Sequence, residues 1–336
     1  MLTISAVSFG AVKLWARLMS PPSMADVRDL AEKAPIVFRG RVAQIFSHAY
    51  LPDSFGLDSL ATIHVDRLYR GSVPENVTFH FIQPSPAFMD GHNCIDFQPD
   101  TYWLVFAVEK DGQLELFDDC EGALAISPLL GPHLKDSDWL AQMEADFLAG
   151  LNDAAASNRI ASIQRLGGLK LPSSQAVLHR VMDRAGKNEA NWAVYAALCT
   201  GDISVLPRVK EILSVGDKNP PEQEIAFELR NVSDPKAGPG LIAILTTAPG
   251  EATRSSVLTA LGENIKDPRA VPILADHLSA ADESSRYLAL VGLRNISHDS
   301  SCSPSDTANE QNLESRIRRC KLWWEEKGKF QSWDKD

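Results

Sequence analysis

The stretch "VLTALGENIKDPRAVPILADHL" covers residues 257–278. Val257, Leu258 and Leu261 recur at helical spacing, and the pattern then halts at Lys266-Asp267-Pro268. Gly262 sits where a helix end wants a residue tolerant of positive φ. Asp267-Pro268 reads as an N-cap followed by the first helical position. Beyond it, Val271, Leu274 and Leu278 share one face at i, i+3 and i+7. The stretch is therefore a helix, a tight turn and a second helix, and not one kinked helix.

The unit recurs upstream. "SVLPRVKEIL" begins at Ser204, "AGPGLIAIL" at Ala237 and "RAVPILADHL" at Arg269. Their prolines, Pro207, Pro239 and Pro272, are 32 and 33 residues apart. An earlier copy, "QAVLHRVM" from Gln175, carries His179 where the others carry proline, 28 residues before Pro207. Each copy follows a helix, around Arg159–Leu166, Asn191–Leu198, Glu222–Leu229 and Arg254–Leu261. Helix pairs at a period of roughly 30 residues predict a solenoid, whose stack supplies the core that one pair cannot. A Ser- and Asp-rich loop at 297–310 precedes a last helix with Leu313, Ile317, Cys320 and Trp324 on one stripe. A polar-backed terminal helix of this kind caps a solenoid, and Trp323-Trp324 reads as the seal.

"ALGENIKDPRAVPILADHL" followed by "SSRYLALVGLRNI" resembles the short bacterial HEAT-like repeat, also found in phycobilisome-lyase-type proteins. The resemblance covers about residues 158–296. It implies an α-solenoid that binds other macromolecules; only a few relatives are lyases.

Residues 34–126 have a different rhythm. "LATIHVDRLYRG" alternates Ile63 and Val65 inward with Thr62, His64 and Asp66 outward. "NVTFHF" alternates Val77, Phe79 and Phe81 with Thr78 and His80. "YWLVFAV" is a near-continuous apolar strand, and "LELFDD" follows the turn at Asp111-Gly112. With "PIVFRGRVAQIF" these make five strands, the pattern of a small closed barrel. The order "IVFRGRV", "VDRLYRGSVPENVTFHF", Cys94-x-x-Phe97, "YWLVFAV", Cys120 resembles the netrin-like domain, the fold shared with tissue inhibitors of metalloproteinases. That family is a five-stranded OB barrel, usually extracytoplasmic. The resemblance implies a Cys94–Cys120 disulfide, since the two match a pair the family often bridges. Asp100 stands where many relatives carry Gly, and no cysteine lies near residues 20–30, where the inhibitors place the one that chelates zinc.

The chain of 336 residues carries a formal net charge of −11. That balance disfavours nucleic-acid binding, and the cluster Arg316, Arg318, Arg319 and Lys321 reads as a solvated helix face. No uncharged apolar run reaches the roughly 18–20 residues of a membrane span. The start fits a remnant signal segment or an amphipathic leader, with Lys13 and Arg17 after the apolar part. The five cysteines include no C-x-x-C pair. Cys199 is expected to be a buried thiol, and a Cys302–Cys320 pairing is left open. His64, His80 and Asp66 form a weak metal candidate, and Asp118, Asp119 and Glu121 a weak calcium candidate; both read more simply as solvent-facing residues. No H-E-x-x-H, G-x-S-x-G or phosphate-loop pattern occurs.

The expected architecture is multidomain β plus α, a small five-stranded OB-type β-barrel followed by an α-solenoid of HEAT-like helix pairs. Its parts are a leader at 1–24, the barrel at 25–130, a connecting helix and linker at 131–157, the solenoid at 158–296, a loop at 297–310 and a capping helix with tail at 311–336. The expected function is a non-enzymatic adaptor or scaffold binding another protein. The alternatives are an enzyme of HEAT-type lyase or metal-dependent class, and a protease inhibitor acting through barrel loops without zinc chelation. No cofactor, metal or nucleic acid is expected. The expected placement is extracytoplasmic or secreted, otherwise cytoplasmic. Two connections, 47–59 and 83–93, are long for so small a barrel, and the second carries Phe88 and Met89 as a candidate protein-binding spot.

Overall fold

The computed structural model describes residues 26–50, 56–84, 95–118, 122–135, 138–218, 220–247, 250–302 and 313–333. Contacts divide the chain into two compact units, Met1–Gly150 and Leu151–Asp336. No described helix is long and apolar enough to cross a membrane.

The first unit is an antiparallel sheet with helices. Helix α1 (Val27–Lys33) precedes β1 (Ile36–Tyr50), β2 (Gly56–Arg70), β3 (Asn76–Pro84), β4 (Tyr102–Lys110), β5 (Gln113–Leu116), β6 (Ala123–Ala125) and α2 (Trp139–Gly150). The strand order is β3-β2-β1-β4-β5, with β6 also on β4. Alternate residues of β1, β2, β3 and β4, among them Phe38, Ile63, Phe79 and Val105, fill one core. In β4 the run Trp103–Ala107 is buried at every position, as expected of a strand covered on both faces. The long β1 bends through several register shifts against β2. At one of these stands Gly40, where a Cβ would lie 2.4 Å from the His64 carbonyl oxygen. The expected connection at 47–59 is mostly strand: Ser47 pairs with Ser59 and Tyr50 with Leu57, so strand pairing runs on into both ends of that stretch. Asp111 and Gly112, at φ 52° and 77°, make the turn read from the sequence.

The second unit is a row of helix pairs: α3 (Ala156–Leu169) with α4 (Gln175–Arg184), α5 (Lys187–Cys199) with α6 (Leu206–Leu213), α7 (Glu222–Glu228) with α8 (Gly238–Leu245), and α9 (Glu251–Thr259) with α10 (Val271–His277). Helices α11 (Glu283–Ser297) and α12 (Leu313–Glu326) follow. The first helices pack in sequence, α3 on α5, α5 on α7, α7 on α9, α9 on α11, and α11 on α12. Each second helix is entered through a 3₁₀ turn, and Asp202, Asp234 and Asp267 cap three of those turns by accepting from the backbone N–H two residues on.

The second helices start at Gln175, Leu206, Gly238 and Val271. Leu178, Val209, Leu241 and Leu274 then occupy the same buried position. This register corrects the alignment of His179 with the prolines. Ala176 takes the place of Pro207, and His179 lies a turn further on. Those starts are 31, 32 and 33 residues apart, and the longest interval contains a π-helical turn at Ala260–Ile265. Within it Gly262 does not adopt positive φ; Lys266 does, at 55°. Gly262 is required by packing instead, since a Cβ there would lie 2.4 Å from the Gly292 Cα of α11.

Arg159 donates to the Asp153 and Ala154 carbonyls and pairs with Glu189 on the next first helix. Arg286 repeats this with the Ala280 and Ala281 carbonyls and Glu314. Helix α12 thus sits where a further first helix belongs. Its buried stripe is Ile317, Cys320 and Trp323; Leu313 and Trp324, expected inside, are half-buried. The tail turns Trp323 inward, with Trp333 against it at 6.4 Å and donating to the Gly328 carbonyl.

Candidate functional site

Several residues singled out in the sequence are not brought together. Phe88, Met89, Cys94 and Cys120 lie outside the described residues, as do Asp119 and Glu121. His64 pairs across the strands with Asn76 and His80 with Leu60, which separates the histidines by four residues, about 13 Å at strand rise. The described residues contain no group of His, Cys, Asp and Glu able to hold a metal. Cys302 and Cys320 form a disulfide, so the pairing left open in the sequence is made. Cys199 is half-buried, not buried as expected, because it ends α5 where the chain turns out to Thr200.

His179, Asp202 and Ser204 meet between the first two pairs. The Asp202 carboxylate is 2.7 Å from His179 Nε2, and Ser204 Oγ is 3.5 Å from the same nitrogen. Both oxygens share one ring nitrogen, so the trio lacks the two-sided histidine of a nucleophilic triad. Asp202 also accepts from the Ser204 backbone N–H as a cap. Burial alone would raise its carboxyl, but hydrogen bonds from Ser204 and His179 outweigh that and hold it below its ordinary value. This cluster clamps neighbouring repeats.

A groove of about 440 Å³ lies between α7 and α9. Glu251, Ser255 and Thr259 line it from α9 at helical i, i+4 and i+8. Phe227 and Arg230 line it from α7 and the turn after it. The Arg230 guanidinium lies 5.6 Å from the centre of the Phe227 ring. Asn264, on the π-helical turn, donates to the Arg230 carbonyl at 2.6 Å and to the Val232 carbonyl at 3.3 Å. The other wall is fixed at its start. The Asp217 carboxylate accepts from the Thr253 N–H and hydroxyl at 2.9 and 2.8 Å. Glu224, one turn before Phe227, has its carboxyl raised by burial and by Glu228, with Arg230 partly offsetting the rise. A second hollow of about 320 Å³ lies among α3, α4 and α5, but its inner charges, Arg159 and Glu189, already pair with each other.

No family model matches the chain, and no curated protein matches it. Among solved structures it is similar to the complex of CpcE and CpcF of phycocyanin lyase from Nostoc sp. PCC7120, at 20% identity and a TM-score of 0.35, covering 50% of this chain and 67% of that one. A likeness this loose assigns neither substrate nor reaction to this chain. It does correct the reading of a non-enzymatic adaptor. That reading rested on missing hydrolase, zinc-protease and phosphate-loop motifs, and the similar structure is part of a lyase. The absence of three motifs is in itself no ground for calling the chain a non-enzyme.

The groove residues went unread in the sequence because no contiguous motif contains them. Glu251 and Arg230 come from different repeats. A signal was present, however. Glu251, Ser255 and Thr259 place a polar stripe on a helix whose other positions, Val257, Leu258 and Leu261, are core.

Proposed function

We propose that the chain is an enzyme of lyase type, with its active groove between α7 and α9, and that it works with another protein. The observation that carries this reading is one cation, Arg230, and one carboxylate, Glu251, lining the same groove from different helical repeats. Elimination and addition both need a group that moves a proton and a cation that steadies developing negative charge. Glu251 fills the first role and Arg230 the second. The test is to incubate the purified protein with the small-molecule fraction of its host, with and without host proteins, and to follow products by mass spectrometry. A substrate and product that differ by loss or gain of a neutral molecule, converted by wild type and not by Glu251→Gln, support the reading. Conversion that survives Glu251→Gln moves the chemistry elsewhere, and no conversion in either mixture overturns it.

The sheet unit is proposed to be a netrin-like, OB-type closed barrel. Its antiparallel order, its long bulged β1 and its single core support that. So does Asp100, which holds φ at 63° where many members of that family carry Gly. Backbone amide contacts between β3 and β5 in solution test closure; independent exchange of both edges rejects it. The Cys94–Cys120 bond and an extracytoplasmic placement belong to the same proposal, and the Cys302–Cys320 disulfide supports an oxidising compartment. Thiol counting on denatured, unreduced protein from its host tests both, and five free thiols reject them.

A further inference from the structure

We propose that the groove between α7 and α9 binds a small monocarboxylate, with the carboxylate on the Arg230 guanidinium and a flat apolar body against Phe227 and Ala252. The inference deepens the groove reading above and rests on it. Arg230 is half-buried, and its guanidinium makes no hydrogen bond or ion pair among the described residues. The centre of the Phe227 ring lies 5.6 Å from it, and Asn264 holds the Arg230 backbone carbonyl. The guanidinium presents a fork of N–H donors whose partners must come from solvent or from a ligand. A carboxylate matches that fork with two parallel hydrogen bonds.

The surrounding charges select among anions. Glu251 lines the opposite wall, and Glu224 and Glu228 lie on α7. A dianion such as phosphate meets this field at a disadvantage. A single negative charge, joined to a group that donates toward Glu251, matches both walls. The volume of about 440 Å³ is in the range of small-ligand sites.

Benzoate and benzamide differ only in the group that Arg230 would read, so they are the probes. Benzoate titrated into the full-length protein is expected to saturate shifts of the Phe227 and Arg230 NMR signals with a Kd of about 1–10 mM. Benzamide is expected to bind at least about tenfold more weakly. Arg230→Met is expected to abolish the difference, and Arg230→Lys, which keeps charge without the fork, to keep part of it. Melting curves establish that both variants fold. If benzoate and benzamide bind the groove equally, the carboxylate preference is overturned while the groove stands. If neither moves the groove signals, the groove reading falls with it.

Discussion

In the sheet unit one carboxylate holds three partners at once; in the helical array three aspartates each cap a turn, and of these Asp202 adds one bond to His179 on the neighbouring repeat. Asp146, 2% exposed, pairs with Arg67, accepts from the Tyr69 hydroxyl at 2.6 Å and accepts from the Gly131 N–H at 2.8 Å. Burial and the Asp146 charge push the Tyr69 hydroxyl well above its ordinary value, so it stays a donor. Beside it Arg39, 1% exposed, donates to the carbonyls of Ser127, Pro128 and Leu129. These groups tie α2 and the segment before it onto the strands. Asp202, Asp234 and Asp267, by contrast, repeat one small device at one-period spacing. Damage to the sheet unit should therefore be concentrated and large, and damage to the array local and modest. Asp146→Ala strands Arg67 without its counter-ion, and the expected loss is about 3–5 kcal/mol. Urea unfolding followed through the aromatic signal of the sheet checks this, with the helical signal of the array expected to hold. A loss below about 1 kcal/mol would show the network to be ornamental.

The array has one covalent departure from its repeating pattern. The Cys302–Cys320 disulfide closes a separation of 18 residues and ties the 3₁₀ turn Ser300–Cys302, which follows α11, to the middle of α12. Replacing both cysteines by Ser is expected to cost about 3 kcal/mol in the chain-entropy picture. The loss should appear at the last helices, read by hydrogen exchange of α12 against α3. Uniform loss along the array would make its cooperativity more like that of the sheet.

Gly262 tests the packing between repeats. Helix propensity alone predicts that Gly262→Ala gains about 1 kcal/mol. The approach to Gly292 predicts the reverse, because the new methyl meets backbone and not a movable side chain. The expected outcome is a loss of about 1–3 kcal/mol. A gain would mean that neighbouring repeats slide apart freely, and that the array's tolerance exceeds the comparison made above.

What could be read in advance follows from how local each cause is. Helix pairs are written in contiguous i, i+3, i+4 patterns, so α3 to α11 were legible. The register of the first pair was not, because its cap position is Leu171 and its proline is Pro172, which leaves His179 as a false match. Alternation revealed β2 and β3, and a near-continuous apolar run revealed β4. It could not reveal Arg39 or Asp146, whose partners lie about 90 and 79 residues away. The groove was illegible for the same reason, since Arg230 and Glu251 line one groove only once two repeats are stacked.

Asp100 is the smallest test and the most exact about cause. Its backbone stands at φ 63°, its N–H donates to the Val42 carbonyl at 2.9 Å, and its side chain pairs with Arg41 at 3.0 Å. Three small effects compete in Asp100→Gly. Relief of the left-handed backbone favours the variant by about 1 kcal/mol. Greater freedom of the unfolded chain opposes it by about 0.4–1 kcal/mol. Loss of an ion pair this exposed removes at most about 1 kcal/mol more. The sum is near zero, and the expected change in stability is below about 0.5 kcal/mol. Asp100→Val keeps none of the compensation, since a β-branched residue resists positive φ, and it is expected to lose about 1–2 kcal/mol. Paired denaturant curves of the two variants decide the matter. If valine proves as harmless as glycine, the turn does not depend on left-handed backbone, and Asp100 no longer supports the netrin-like reading of the sheet.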